Sequence, residues 1–354
     1  MKRFVDFFFD YKVKLRRTLV WLASCALLGT GFVTTGSVVA APASQVASMS
    51  PAKVTKQAKH KKVKRAKKKR VVKKRRIRRQ APSVAMLAGL RNTPDPLELS
   101  SSVAYMVDQD TGEVFFDKNA DVKLPIASVT KLMTALVIAE SELSLRSKIR
   151  VTRADYVSSR AASKLRSGMV LTRKAALQAA LMSSDNRAAH MLARTFPGGK
   201  KAFIQAMNAK AEELGMLDSH FADPTGLSNA NVSTARDLAI LVAEAHKHAV
   251  IRDASTTPVA LLSAGRYKVR MQTTNRLIGD PRWNVGLQKT GFTTAAGRCM
   301  VVQSEFAGRR MVMVVLDSAS NGKRADDMLR MRRWFEAETE FAQQFAKISP
   351  YELL

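Results

Sequence analysis

Three short motifs along the chain carry side chains that could perform nucleophilic catalysis on an amide: Ser128-Val129-Thr130-Lys131, Ser184-Asp185-Asn186 and Lys289-Thr290-Gly291. The first motif supplies a hydroxyl nucleophile and an amine that could take its proton. The second supplies another hydroxyl and a side-chain amide, and the third supplies a cation beside a hydroxyl. Together they are typical of a serine enzyme that passes through an acyl intermediate.

The Ser-x-x-Lys spacing is weak evidence alone, because the chain contains two further copies: Ser50-Pro51-Ala52-Lys53 and Ser320-Asn321-Gly322-Lys323. Context distinguishes Ser128, since Pro125 precedes it and an apolar helical pattern over 128–140 begins there. Lys131 would lie one turn further on the same helical face, where partial burial would lower its pKa enough to make it a base. A helix-capping serine beside a solvated lysine is the alternative interpretation.

The second and third motifs also have a functional and a structural interpretation. Between two predicted helices, Ser184 could relay a proton to a leaving amine and Asn186 could donate a hydrogen bond to a substrate carbonyl; the alternative is an ordinary helix cap. The third motif ends a strand-like run at a sheet edge. There Lys289 would attract a carboxylate, Thr290 would hydrogen-bond to it, and Gly291 would let two backbones approach closely. The alternative is a strand end followed by a turn.

The elements predicted from residue periodicity place the first motif at the start of a helix, the second between two helices and the third at the end of a strand. Strands are predicted at 103–107, 113–116, 267–274, 285–289, 298–306 and 311–316, and helices at 128–140, 172–183, 186–195, 199–214, 235–247 and 324–345. Thr234, with Asp237 three residues later, predicts the start of one of these helices. Strands at both ends with helices between them indicate an α/β (α+β) fold whose sheet is interrupted by a helical insertion.

Four segments make the chain resemble a known family: 124–134 around the first motif, 183–189 around the second, the run Asp-Pro-Thr-Gly-Leu-Ser at 223–228, and 289–299 from the third motif onward. On these segments, residues 97–354 are similar to the penicillin-recognising D-alanyl-D-alanine peptidases. The last segment is most similar to the D-alanyl-D-alanine endopeptidases among the low-molecular-weight penicillin-binding proteins. The resemblance implies a fold of the β-lactamase and transpeptidase type, in which helices flank an antiparallel sheet and a helical subdomain is inserted.

The resemblance also implies a role for each residue of the motifs. These roles are nucleophile for Ser128, general base for Lys131, proton relay for Ser184, substrate-orienting amide for Asn186, contacts to the substrate end for Lys289, Thr290 and Gly291, and oxyanion-hole N–H groups for Ser128 and Phe292. The implied substrate is the D-Ala–meso-diaminopimelate cross-link of peptidoglycan, and the implied inhibitors are β-lactams that acylate the serine. No cofactor and no metal are implied.

Three other functions stay open at this point. A D-alanyl-D-alanine carboxypeptidase that removes terminal D-Ala would use the same residues. A serine β-lactamase would need a base for rapid deacylation, and the run at 221–226 offers no glutamate, so we expect stable acylation by penicillin. An inactive peptidoglycan-binding scaffold is the third alternative, against which the intact Ser128 and Lys131 argue.

The first 96 residues differ in composition from the rest of the chain. Residues 1–43 combine basic residues with a long apolar run and small residues at 41–43, which predicts a cleaved export signal and a periplasmic protein; a retained membrane anchor and lipidation at Cys25 are the alternatives. Residues 44–96 are predicted to be a disordered linker. Within it, 53–79 holds 17 of the Lys and Arg residues and no acid, in a chain of net charge +30.

The basic tract at 53–79 has three interpretations. It could be a solvated spacer, an electrostatic tether to an anionic envelope surface, or a nucleic-acid-binding segment. Export argues against nucleic acid as a partner. The sequence also predicts that Cys299 is a buried strand thiol rather than a nucleophile, because it stands in the apolar run 299–302 and no nearby group would obviously lower its pKa.

Overall fold

The computed structural model describes residues 81–159 and 162–347, with side chains described to residue 344. The predicted export signal and the basic tract at 53–79 lie outside these residues. Among the residues described, no helix combines the length and the hydropathy needed to cross a bilayer.

Eleven strands occur in the described part of the chain. They are β1 (Val103–Asp108), β2 (Val114–Lys118), β3 (Leu124–Pro125), β4 (Lys148–Arg150), β5 (Val170–Thr172), β6 (Val232–Ser233), β7 (Val259–Ala264), β8 (Tyr267–Gln272), β9 (Asn284–Thr293), β10 (Gly297–Phe306) and β11 (Arg309–Ser318). Five of them form an antiparallel sheet in the order β2-β1-β11-β10-β9. Strand β9 is therefore an edge strand, and strands from the two ends of the described chain meet in the middle of the sheet.

The helices lie between and after these strands. They are α1 (Val84–Leu87), α2 (Lys131–Glu140), α3 (Arg173–Met182), α4 (Asn186–Arg194), α5 (Gly199–Glu213), α6 (Ala235–Lys247), α7 (Ala249–Thr256) and α8 (Asn321–Lys347). The Thr234 hydroxyl accepts a hydrogen bond from the Asp237 amide at the start of α6, which confirms the predicted cap. Helices α2 to α7 form the insertion between β2 and β9, so the predicted fold class is confirmed.

The central sheet separates two hydrophobic cores, because alternate residues of each strand point to opposite faces. In β11, Val312, Val314 and Leu316 join the core that contains α2 to α7. The intervening Met311 and Met313 join a smaller core. Helix α8 covers that second face with a buried stripe formed by Met328, Met331 and Phe335. This spacing of three and four residues is the helical period, so α8 packs as an amphipathic helix.

Part of the segment that the sequence assigns to the linker packs against the catalytic domain. The Val84 amide donates to the Ala295 carbonyl, and Arg91 forms an ion pair with Asp317 at 2.9 Å. Asp95 is buried and pairs with Lys118 at 2.8 Å. These polar contacts, more than apolar burial, hold residues 83–95 in place. The low apolar content of this segment therefore led the sequence analysis to assign it to a disordered linker.

Candidate active site

Ser128 lies in a tight turn between a short strand and the first long helix. After β3, residues Ala127–Thr130 form a single 3-10 turn, and α2 begins at Lys131. The expected α-helical first turn is therefore a 3-10 turn, in which Ala127 adopts a positive φ of 48°. Val129 is fully buried and anchors the turn in the core, while Ser128 stays partly exposed at the floor of a cleft.

Lys131 is completely buried, yet its amine is fully hydrogen-bonded. Its Nζ lies 2.8 Å from Ser128 Oγ, 2.7 Å from Asn186 Oδ1 and 2.6 Å from the Thr225 carbonyl oxygen. Burial lowers the pKa of Lys131 to about 7, although the nearby carboxylates of Asp223 and Asp185 act to raise it. An amine with such a pKa is neutral for a large fraction of the time near neutral pH and can accept the Ser128 proton.

The second motif begins with a strained residue and continues into a capped helix. Ser184 has a positive φ of 57°, so it sits at a sharp bend between α3 and α4. Asp185 caps α4 by accepting from the Ala188 amide, which is the structural role that the alternative interpretation assigned to this motif. The cap and the catalytic interpretation are compatible, because the bend directs Ser184 and Asn186 into the same cleft as Ser128.

The third motif lies within edge strand β9 rather than at its end. Lys289 is completely buried, and its Nζ donates to Ser184 Oγ at 3.0 Å and to the Thr290 carbonyl at 2.8 Å. Burial lowers the pKa of Lys289 well below its usual value, with further lowering by the nearby charges of Lys131 and Arg324. The Thr290 hydroxyl lies 2.7 Å from the Thr274 hydroxyl, which fixes its position on the cleft wall.

Gly291 allows β9 to run against the nucleophile turn. A Cβ atom at Gly291 would lie 2.9 Å from the Ile126 carbonyl oxygen and 3.0 Å from the Ser128 nitrogen. Only glycine fits such an approach without displacing the backbone. Phe292, the next residue, is 40% exposed at the cleft, and the Arg298 guanidinium covers its ring at 4.8 Å.

The loop at 223–228 supplies a contact to the site that side-chain motifs alone do not indicate. The half-buried Asp223 carboxylate accepts hydrogen bonds from the Thr225, Gly226 and Ser228 amides. Burial acts to raise the pKa of Asp223, but the hydrogen bonds from Thr225 and the loop amides outweigh it, and the pKa is lowered. The loop thus holds the Thr225 carbonyl against Lys131. The sequence resemblance includes this loop, but a backbone oxygen carries no signal in a sequence.

The residues of the three motifs line one cleft of about 570 Å³. Ser128, Ser184, Asn186, Thr290, Gly291 and Phe292 all lie on its wall. The buried amines of Lys131 and Lys289 reach it through their bonds to Ser128 and Ser184. Sequence reasoning missed Arg324, whose guanidinium is buried at the far wall and donates to the Cys299 carbonyl at 3.0 Å.

One group of side chains elsewhere has ligand types that metals accept. Ligand atoms of Glu140, Glu244 and His248 lie within 4.8 Å of one another. The Lys210 ammonium already pairs with the Glu140 carboxylate at 2.7 Å, so one carboxylate of the group is neutralised by a side chain. His248 is the C-cap of α6, just beyond its last residue, Lys247. Glu140 ends α2, whereas Lys131 begins it, so this group has no part in the cleft chemistry.

The model of the D-alanyl-D-alanine carboxypeptidase family matches residues 90–320. That stretch includes all three motifs and the loop at 223–228. The chain belongs to this family of serine peptidases.

Named relatives within the family include two endopeptidases. The D-alanyl-D-alanine endopeptidase of Pseudomonas aeruginosa is 42% identical over 242 residues, which cover 68% of this chain and 78% of the relative. The D-alanyl-D-alanine endopeptidase of Escherichia coli is 40% identical over 259 residues, which cover 72% of this chain and 84% of the relative. A D-alanyl-D-alanine carboxypeptidase of Bacillus subtilis is 30% identical over 238 residues, which cover 64% of this chain and 60% of the relative.

Solved structures of this family share the fold. The crystal structure of a Streptomyces DD-transpeptidase matches with a TM-score of 0.63 at 28% identity, covering 69% of this chain and 99% of that one. A penicillin-binding protein of Listeria monocytogenes, solved with ampicillin bound, matches with a TM-score of 0.60 at 29% identity. The match covers 68% of this chain and 98% of that one. The chain is therefore a serine-type D-Ala-D-Ala peptidase, and the β-lactamase-like fold that the sequence implied is confirmed.

Proposed function

We propose that this protein is a D-alanyl-D-alanine endopeptidase that hydrolyses D-Ala–meso-diaminopimelate cross-links of peptidoglycan through an acyl-enzyme on Ser128. The observation that carries the chemistry is the 2.8 Å contact between Ser128 Oγ and an amine whose pKa burial lowers to about 7. The observation that carries the substrate class is the 40–42% identity to two endopeptidases.

In the acylation step, neutral Lys131 takes the Ser128 proton as Oγ bonds to the D-Ala carbonyl carbon. The backbone N–H groups of Ser128 and Phe292 are our candidates for binding the oxyanion. Their proximity is supported by the close approach at Gly291, where a Cβ atom would lie 3.0 Å from the Ser128 nitrogen. Asn186 accepts from Lys131 and lies on the cleft wall, so it can orient both the amine and the substrate.

The leaving amine of diaminopimelate then departs with a proton. Ser184 is our candidate for the relay, because its hydroxyl contacts the Lys289 amine at 3.0 Å and faces the cleft. Lys289 and Thr290 would hold the carboxylate beside the leaving nitrogen. A water molecule next attacks the ester carbonyl and regenerates Ser128 with release of the D-Ala carboxylate. The same machinery would accept a β-lactam as an acylating inhibitor.

Carboxypeptidase activity is the second candidate, favoured by the description of the matching family. Mass analysis of the products from purified muropeptides distinguishes the two activities. An endopeptidase converts cross-linked dimers to monomers and leaves pentapeptide monomers intact, whereas a carboxypeptidase removes the terminal D-Ala. Loss of D-Ala with dimers left uncleaved would contradict our proposal.

Labelling with fluorescent penicillin tests the nucleophile independently of the substrate. We expect Ser128→Ala to abolish labelling, and Ser320→Ala, which alters one of the other Ser-x-x-Lys sequences, to label like the wild type. Labelling of Ser128→Ala would refute the assignment, and rapid release of the label would favour a β-lactamase.

We further propose a periplasmic location and a tethering role for the basic tract. The predicted export signal at 1–43 and the peptidoglycan substrate support the location. The charge of 53–79 supports attraction to anionic envelope polymers or lipid headgroups, which salt would screen. Deletion of 53–79 should therefore release the protein from envelope fractions at low salt. Unchanged fractionation would contradict the tether.

A further inference from the structure

Residues 83–95, which we call the strap, contact the β9–β10 hairpin that forms part of the cleft wall. The Val84 amide donates to the Ala295 carbonyl, in the turn of this hairpin, at 2.9 Å. Thr293, the last residue of β9, lines the cleft next to Phe292, our candidate for one of the two oxyanion-hole N–H groups. The strap therefore contacts the element whose position sets the oxyanion hole.

A buried carboxylate, that of Asp317 in β11, receives a second contact from the strap. Asp317 is 2% exposed, and its carboxylate accepts from the Arg91 guanidinium at 2.9 Å and from the Ser102 hydroxyl at 2.6 Å. The same nitrogen of Arg91, Nη2, also donates to the Asp317 carbonyl at 2.8 Å. Because a charge removed from water is costly unless it is paired, Arg91 stabilises the ionised carboxylate at this position.

The Asp317 carboxylate lies directly against the first residue of β10. A Cβ atom at Gly297 would overlap this carboxylate. Asp317 has a positive φ of 53°, and the register between β10 and β11 shifts at this point, where Leu316 and Asp317 lie opposite Cys299. Such a β-bulge bends a strand locally, and bulges are common beside active sites. The position of the carboxylate thus helps to set the path of β10 where it leaves the hairpin turn.

This contact is one step of the strand ladder away from the candidate oxyanion hole. In the pairing of β9 with β10, Gly297 lies opposite Thr293, and Arg298 lies opposite Phe292. Since backbone hydrogen bonds join paired strands, a movement at Gly297 displaces the backbone at 292–293 with it.

We propose that Arg91 is a positioning residue for catalysis: by pairing with Asp317 it fixes the β9–β10 hairpin so that the Phe292 N–H group faces the developing oxyanion. This inference rests on the oxyanion role given to Phe292 under the proposed function. The negative oxygen forms only in the transition state. Loss of Arg91 therefore slows acylation without weakening the initial binding of penicillin.

The test is Arg91→Ala, followed by stopped-flow acylation with penicillin, which separates the limiting rate from the dissociation constant of the initial complex. Removal of an oxyanion-hole donor costs roughly 100- to 1,000-fold in rate. Because this variant loosens the hairpin and leaves the donor in place, we expect the limiting rate to fall roughly 10- to 100-fold. The dissociation constant should stay within about threefold of the wild type. Arg91→Lys should restore most of the rate, since a single nitrogen makes both bonds to Asp317.

Lys118→Met is the matched control for loss of stability. Lys118 forms the second ion pair between the strap and the sheet, with Asp95 at 2.8 Å, and its side chain is 1% exposed against 27% for Arg91. Lys118 lies on β2, at the opposite edge of the sheet from β9. Breaking the more deeply buried pair should lower Tm at least as much as Arg91→Ala does. Acylation of this control should nevertheless stay within about twofold of the wild type.

Four outcomes would overturn the positioning role: an unchanged limiting rate in Arg91→Ala, an equal loss of rate in Lys118→Met, a loss confined to the dissociation constant, or no recovery in Arg91→Lys. If Arg91→Ala does not fold, Arg91→Gln, which removes the charge and keeps a hydrogen-bond donor, takes its place with the same expectations. Failure of penicillin to acylate the wild type would instead overturn the proposed function.

Discussion

Substitution of Gly226 by alanine tests whether the loop at 223–228 holds the catalytic geometry. Gly226 has a φ of +79°, and a Cβ atom there would lie 1.8 Å from the Ala127 carbonyl oxygen and 2.9 Å from the Ser128 nitrogen. A carbon and a carbonyl oxygen normally stay about 3.3 Å apart or more. The alanine methyl therefore forces the loop and the nucleophile turn apart by about 1.5 Å, because both contacting groups are backbone.

The displacement would separate two groups that contact Lys131. The Thr225 carbonyl moves with the loop, and Ser128 moves with the turn. Since misplacement of reacting groups by about 1 Å can cost roughly 100-fold in rate, we expect Gly226→Ala to reduce the second-order rate of acylation by penicillin at least 100-fold. The positive φ adds about 1–2 kcal/mol of destabilisation.

Gly112→Ala is the matched control for backbone strain. Gly112 has a φ of +72°, and nothing lies within 4 Å of its would-be Cβ atom. We expect this variant to lose about 1–2 kcal/mol, a fall in Tm of roughly 2–8 °C, while acylation stays within twofold of the wild type. Stopped-flow acylation and calorimetry on both variants measure the two effects. Near-normal acylation by Gly226→Ala would refute the reasoning, as would an equal loss in Gly112→Ala.

Three further outcomes follow from the site. Because burial lowers the pKa of Lys131 to about 7, the neutral base disappears as pH falls, and the acylation rate should drop roughly tenfold per pH unit below about pH 6; a flat profile from pH 5 to 8 would exclude Lys131 as the base. Asp223→Asn removes a carboxylate that raises this pKa, so the acid limb of the same profile should shift to lower pH, and a shift to higher pH would contradict the assignment. Burial raises the pKa of Cys299 to about 12, so iodoacetamide at pH 8 should modify it only after denaturation, as mass spectrometry of the native and unfolded protein can measure.

Sequence reasoning predicted the long, periodic elements well. The apolar runs of β10 and β11 and the capped start of α6 gave their positions to within a few residues. It also treated β9 as ending at Lys289, whereas the strand continues to Thr293. Glycine lowers strand propensity, so Gly291 suggested a turn. In the structure, the strand continues through Gly291. Glycine is needed there because the nucleophile turn leaves no space for a side chain.

The sequence by itself determined the reaction class, because the types and order of the side chains in the three motifs are specific to serine acyl transfer. It also determined that strands at both ends of the domain enclose a helical stretch, since apolar runs and helical periodicity are local properties. Only the tertiary structure decided the lowered pKa of Lys131, because that pKa depends on complete burial and on carboxylates 54 and 92 residues away in the chain. The contact of the Thr225 carbonyl with Lys131 likewise exists only in the fold, because it is made by a backbone atom far away in the chain.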